Sequence, residues 1–215
     1  MKCFEFFMKL HIQSFLPPGF DKFQFAYTKN RSVEDAISIN VHEILKHLEK
    51  SQSYARVLFI DYSSAFNTII PQKLFDKLIV LNFPIDTCNW ILDFLLNRPQ
   101  AVKIKDNMSA SLILNTGAPQ GCVLSPKLYS IFTYDCKTTN DKDSLIIKFA
   151  DDTTVSGFII NNDETKYRNQ VNTIVKWCDE NNLFLNVSKT KERDALSMCN
   201  DTVKIGIQSQ LVKKG

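Results

Sequence analysis

A chain of 215 residues with 44% hydrophobic and 11% aromatic composition can bury a core in one or two domains, which excludes a disordered or collagen-like molecule. Twenty-six Lys/Arg against 23 Asp/Glu give a net charge of +3, and the surplus sits in Asn186 to Gly215, so residues 1–185 are balanced and charge alone does not argue for nucleic acid. The six cysteines form no C-x-x-C pair, which predicts free thiols in a reducing, intracellular setting and excludes a secreted disulfide scaffold.

No apolar run approaches the ~18 to 20 residues of a membrane span. The opening MKCFEFFMKLHIQSFL is broken by Glu5, Lys9 and His11, so it reads as an amphipathic helix with Phe4, Phe7, Met8 and His11 near one stripe. Pro17-Pro18-Gly19 breaks it. Ser32 with Asp35 makes a capping box, and Val33, Ile37, Val41, Ile44 and Leu48 recur at helical spacing up to Lys50. Val57 to Ile60 is short, apolar and partly β-branched, a buried strand ending on Asp61. Helices are predicted over Pro71–Leu81 and Asp86–Leu96, the first opening on a proline at an allowed position. Ala101–Lys105 and Ser111–Asn115 read as a hairpin around Asp106-Asn107, and Pro126–Cys136 as another helix.

Leu145–Ala150 and Thr153–Ile160 are strand-like with only Asp151-Asp152 between them, a hairpin with two carboxylates at its tip. Tyr167, Val171, Ile174 and Cys178 mark a further amphipathic helix, and Leu183-Phe184-Leu185 a last strand. The order predicts an α+β fold, a split βαβ, ferredoxin-like sheet with helices on one face. Arg193 to Gly215 shows no recognisable pattern.

If the strand ending on Asp61 neighbours the Asp151-Asp152 hairpin, three carboxylates meet at one sheet edge. Such a trio repels itself unless cations neutralise it. Oxygen ligands without His or Cys favour Mg²⁺ or Mn²⁺ over zinc, and two such ions would clamp the attacking and leaving oxygens of a phosphoryl displacement. An Asp-Asp turn is ordinarily a solvated tip, but here each acid follows a run too apolar for a surface. In NTGAPQGCVLSP, Asn115 to Pro126, two glycines flank Ala-Pro-Gln ahead of a helix, so backbone can approach an anion or a flat base. His11, His42 and His47 lack ligand spacing and read as surface or packing residues.

FIDYSSAF (Phe59 to Phe66), GAPQGCVLSP (Gly117 to Pro126), FADD (Phe149 to Asp152) and NNLFLNVSKTK (Asn181 to Lys191) resemble the successive palm motifs of a reverse transcriptase of the non-LTR (LINE-like) retrotransposon type. QFAYTKNRSVEDA, Gln24 to Ala36, resembles the segment this family places before its first catalytic strand. The resemblance implies the palm of a right-hand polymerase, with partial fingers over 1–56, the palm over 57–191 and a divergent tail over 192–215. It implies an RNA-directed DNA polymerase working with two Mg²⁺ (or Mn²⁺) ions on an RNA template, a DNA primer and a dNTP. Asp61, Asp151 and Asp152 would be its metal carboxylates, with the Tyr62 carbonyl as a further ligand.

By the same resemblance Ala65 and Phe66 lie against the incoming sugar, Phe66 excluding a 2′-hydroxyl. Ala118, Pro119, Gln120 and Gly121 shape the nucleotide and template surface, and Lys189 stands near the triphosphate. The family's fingers hairpin would precede Met1, an Arg is usual where Thr28 stands, and a primer grip and thumb would follow Lys191. A truncated copy is therefore expected, and the alternative function is a catalytically inactive remnant with at most weak nucleic-acid binding. A nucleotide cyclase shares the two-metal logic but not the APQG loop.

Overall fold

Apolar periodicity becomes, in chain order, α1 (Lys2–Phe15), α2 (Val33–Leu48), β1 (Ser53–Ile60), a 3₁₀ turn (Ala65–Asn67), α3 (Pro71–Val80) and α4 (Ile85–Leu95). Four short strands follow, β2 (Arg98–Gln100), β3 (Lys103–Ile104), β4 (Asn107–Met108) and β5 (Leu112–Leu114). The order closes with α5 (Ser125–Phe132), β6 (Ser144–Phe149), β7 (Asp152–Ile160), α6 (Thr165–Glu180) and β8 (Lys191–Leu196). These come from a computed structural model that describes residues 2–196. The described residues divide into two units: residues 2–20 with 64–134 form unit 1, and 21–63 with 135–196 form unit 2.

Unit 2 holds a four-stranded sheet in the order β6-β7-β1-β8, every neighbouring pair antiparallel. Strand β7 separates β1 from β6, as a split βαβ requires. The helices, expected on one face, cover both. Ala55, Val57 and Phe59 alternate with Tyr54, Arg56, Leu58 and Ile60 along β1, so the two sets point to opposite sides. Asn40 of α2 accepts a hydrogen bond from Ser156 Oγ at 2.7 Å, and Val33, Ile37 and Val41 share a groove with Phe59, so α2 lies over the first side. Val171, Ile174 and Val175 of α6 gather with Leu58 and Ile60 on the other. A sheet interior to a unit must bury both surfaces, and Ala55 and Val57 on one side and Leu58 and Ile60 on the other are all buried.

Gly157 decides how closely α6 sits. A Cβ there would stand 2.2 Å from Cδ2 of Tyr167, so the ring occupies the space a side chain would fill. The capping box at Ser32 forms as expected: Ser32 N–H donates to Asp35 Oδ2 at 2.8 Å and Asp35 N–H to Ser32 Oγ at 3.2 Å. The face of α2 that is buried is Ala36 and His47, while Val33, Ile37 and Val41 remain exposed. A ring nitrogen of His47 is hydrogen-bonded with Ile159 O at 2.9 Å, making it a packing histidine.

Two expected features differ near the end of the described chain. Leu183-Phe184-Leu185 is no strand; Tyr62 and Leu185 make one isolated bridge. From Lys191 on, where the sequence shows no strand pattern, β8 pairs with β1 from Phe59↔Lys191 to Tyr54↔Leu196. Four successive charges, Lys191 to Asp194, disguise it, as charged edge strands commonly do. Arg56 supplies the counter-charge: its guanidinium reaches Glu164 at 2.9 Å, Glu192 at 3.2 Å and Asp194 at 3.3 Å, joining β1, β8 and the residue before α6. Tyr54 and Tyr167 hydroxyls donate to Glu164 and Glu192, and partial burial followed by Glu164 pushes the Tyr54 hydroxyl up to about 12. The expected tail from 197 onward lies outside the described residues.

In unit 1, α3 packs on α4 and α5 around Ile69, Leu74, Leu78, Ile91, Leu128 and Phe132, all buried. On α1 the buried residues are Glu5 and Ile12, whereas Phe4 and Phe7 are exposed, so the expected stripe is rotated. Glu5 is buried because it has a partner: its Oε2 accepts the Val123 N–H at 2.7 Å. The predicted hairpin forms as two ladders, β2 with β5 and β3 with β4, turning on Lys105-Asp106, one residue earlier than expected. Among the described residues no helix is long and apolar enough to cross a membrane.

Candidate active site

Sheet register brings the acids of unit 2 together. Ile60 lies opposite Thr153, so Asp61 and Asp152 leave the same end of two adjacent strands. Phe149 pairs with Asp152, which leaves Ala150 and Asp151 as the two-residue turn; Asp152 opens β7 and is not at the tip. Asp152 is exposed, yet partial desolvation at the strand end, then the charges of Asp151 and Asp61, hold its carboxyl above the ordinary carboxylate range. Each of the other two acids is thus close enough to be felt.

The backbone around Asp61 is fixed by the segment that follows α6. Asn186 N–H donates to Asp61 O at 2.8 Å, and Asp61 N–H to Thr190 Oγ1 at 3.5 Å. Lys189, in that segment, brings its Nζ to 3.9 Å from Asp61 Oδ2, with 69% and 33% of the side chains exposed. A pair so open to water is worth at most about 1 kcal/mol. Tyr62 turns its side chain inward, is buried, and hydrogen-bonds with Cys178 of α6.

Hard oxygen donors carrying excess negative charge fit a hard divalent cation. Among the described residues no three His, Cys, Asp or Glu side chains are clustered tightly enough to cage an ion alone. Mg²⁺ needs no such cage: it commonly takes one or two carboxylates and completes its shell from water and substrate phosphate.

Unit 1 assembles the second group of predicted residues. Ser64, at φ 55, turns the chain into the 3₁₀ turn carrying Ala65, Phe66 and Asn67, and the Phe66 ring packs on Tyr129 with centroids 4.8 Å apart. The GAPQG loop is docked on this turn: Gly117 N–H donates to Ile69 O at 2.7 Å and Ala118 N–H to Phe66 O at 2.8 Å. Gln120 Nε2 reaches Asn67 Oδ1 at 3.3 Å. Gly117 is required, because a Cβ would fall 2.7 Å from Asn67 Cα and because its φ is +73. Ser125 Oγ donates to Pro119 O at 2.6 Å, while Gln120 and Gly121 stay exposed. A groove of about 780 Å³, lined by Asn67, Gln100, Ser109, Leu112 and Gln120 among others, runs along the loop.

Arg98 carries no mark in the sequence. Its guanidinium donates to Leu95 O at 3.0 Å, Thr116 O at 2.6 Å and Gly117 O at 2.8 Å, tying the hairpin base to the loop. Nor does Gln24, whose segment is recognisable while its own role is not; it is buried at 2% exposure and its amide meets the backbone of Ala150. No local pattern distinguishes either from an ordinary polar residue.

A sheet that ends two neighbouring strands in acids, in a chain that also carries a glycine-flanked loop held in a fixed shape, is the arrangement for which comparison with known proteins supplies a family. The family described as reverse transcriptase (RNA-dependent DNA polymerase) matches residues 1–199. The chain belongs to the reverse transcriptase family, of the LINE-like type that its motifs resemble. It is 28% identical over 178 residues to the probable RNA-directed DNA polymerase from transposon BS of Drosophila melanogaster, covering 78% of this chain and 19% of that protein. To the RNA-directed DNA polymerase from mobile element jockey of the same species it is 31% identical over 140 residues, 62% of this chain and 15% of that one. The chain therefore spans no more than about a fifth of these relatives' length.

Solved structures of similar fold include telomerase from Candida tropicalis in complex with a fragment of telomeric RNA, at TM-score 0.67 and 10% identity over 95% of this chain and 36% of that one. Telomerase from Candida albicans aligns at TM-score 0.61 and 16% identity, over 86% and 34%. At such identities the likeness is one of fold.

Proposed function

We propose that residues 57–191 hold a polymerase palm and that the chain is the RNA-directed DNA polymerase domain of a mobile element, joining a deoxynucleotide to a primer 3′-hydroxyl on an RNA template. The observation that carries this is the convergence of Asp61 with the adjacent Asp151 and Asp152, far from it in sequence, at the same end of β1 and β7, with Asp152 held above its ordinary range by desolvation and by the other two. Those three carboxylates would hold Mg²⁺ or Mn²⁺, two ions in this reading, with the Tyr62 carbonyl as a further ligand. When bound, such ions lower the pKa of the primer hydroxyl and hold the leaving pyrophosphate.

In the reaction the primer 3′-hydroxyl releases its proton to solvent, its oxygen bonds to the α-phosphorus, and the α–β phosphoanhydride breaks with pyrophosphate leaving. Lys189 stabilises charge developing on the pyrophosphate, which its reach to Asp61 supports. Phe66 and Ala65 bear on the sugar, and Phe66, backed by Tyr129, is stiff enough to reject a 2′-hydroxyl. Ala118, Pro119, Gln120 and Gly121 serve base and template, Gln120 and Gly121 being the exposed pair of a loop whose other contacts are internal.

Primer extension on an RNA template with Mg²⁺ tests this, comparing the chain with an Asp151→Ala/Asp152→Ala double variant. A loss of roughly a hundredfold or more is expected, since even partners outside a metal's first shell are worth about 10–100-fold. Equal rates in the two proteins, or no extension by either, would sink the polymerase reading for this chain.

A further inference from the structure

We infer that Gln24, outside the acidic trio, positions Asp151 by fixing the backbone of the turn on which that carboxylate stands; the inference rests on the polymerase reading of the acids. The turn needs holding. Ala150 precedes Asp151 at φ +56, a left-handed conformation that favours glycine and disfavours a residue with a Cβ. Gln24 Nε2 donates to Ala150 O at 3.2 Å, and Gln24 Oε1 accepts the Ala150 N–H at 3.2 Å and the Ala26 N–H at 3.1 Å. One buried amide thus satisfies both backbone polar groups of the strained residue. A primary amide can do this because it carries donor and acceptor in one plane, which a carboxylate or an aliphatic chain of the same length does not.

The segment bearing Gln24 is anchored independently, so the amide is free for the turn. It lies parallel to β6, with Phe25 N–H donating to Lys148 O and Lys148 N–H to Phe23 O, both at 2.9 Å. Lys148 Nζ and Asp21 Oδ2 form a buried ion pair at 2.6 Å, and Phe25 joins Ala36, Leu145 and Ile147 in the core. Burial first and then the Asp151 charge push the hydroxyl of Tyr27, three residues on, upward, as expected if segment and carboxylate are neighbours. Removing the Gln24 amide should loosen the turn and leave the segment in place.

Two variants of the full chain test this. Gln24→Met keeps the volume and loses all three bonds; Gln24→Glu keeps the acceptor, loses the donor to Ala150 O and is the second variant should the first fold poorly. Hydrogen exchange should quicken roughly tenfold at the Ala150 amide in Gln24→Met, with the rest of the sheet unchanged, because the opening is local. In both variants the Mn²⁺ concentration that half-saturates binding, read by water-proton relaxation, and the Mg²⁺ concentration that half-saturates extension should rise roughly tenfold, as losing an outer partner of a metal ligand does. The dNTP KM at saturating metal should stay within about twofold.

A glutamine that merely fills space would be replaced by methionine with the Ala150 amide and the metal requirement both unchanged; that result, or faster exchange spread over the whole sheet, overturns the inference. If the parent chain extends no primer, the polymerase reading falls, while exchange and Mn²⁺ binding still decide whether Gln24 sets the turn and its carboxylate.

Discussion

Asp152 carries a cost that can be read in solution. Its folded pKa lies above the value of about 3.9 for an unperturbed aspartate, so folding disfavours the ionised form. The penalty is complete above the folded pKa and disappears as pH falls through it toward the unfolded value. Without divalent cations Asp152→Asn should therefore stabilise the chain at neutral pH, by less than about 1 kcal/mol because solvent screens the site. The gain should fade below pH ~4 and shrink when Mg²⁺ partners the native charge. Urea midpoints across pH 3.5 to 7.5 check the sign; a variant less stable at neutral pH would mean that Asp152 is stabilised by its neighbours and not repelled.

At the level of elements, Gly157 and Tyr167 set the seat of α6 on the sheet. Replacing Gly157 by alanine brings a methyl group into the Tyr167 ring, whose Cγ and Cβ would stand 2.8 and 3.0 Å away. Overpacking of this kind costs about 1–3 kcal/mol. A double-mutant cycle with Tyr167→Ala should show strong coupling, the alanine at 157 costing far less once the ring is gone; additive losses would place the strain elsewhere. The sequence announced α6 through its periodicity but not this contact, because a lone glycine in a strand reads equally as a bulge. β8 was hidden for the opposite reason. Its Lys191 to Asp194 run has no apolar alternation, and the charges lie in a sheet because of Arg56, which stands 136 residues from Glu192 and beyond the reach of any local pattern.

Across the whole molecule, Arg98 makes three of the polar ties that hold unit 1. Arg98→Met should free the carbonyls of Leu95, Thr116 and Gly117 at a cost of about 1.5–3 kcal/mol. Exchange at the Gly117 and Ala118 amides should quicken with it, and Arg98→Lys should restore only part, since an ammonium cannot reproduce the planar fork. If the lysine variant matches the parent, the guanidinium geometry is not what holds the loop.

The sequence by itself determined the α+β class, the span of most helices and the two acid-bearing strands, because apolar periodicity and caps are local properties of the chain. It also carried the motifs that mark a reverse transcriptase. Only the tertiary structure decided that helices cover both sheet faces, that Asp152 opens a strand while Asp151 holds the turn, and that Gln24 and Arg98 grip the backbones of the two motif loops. The helix cover and the grips of Gln24 and Arg98 depend on contacts between residues distant in sequence, and no spacing rule records such a partnership; the place of Asp152 turns on its pairing with Phe149.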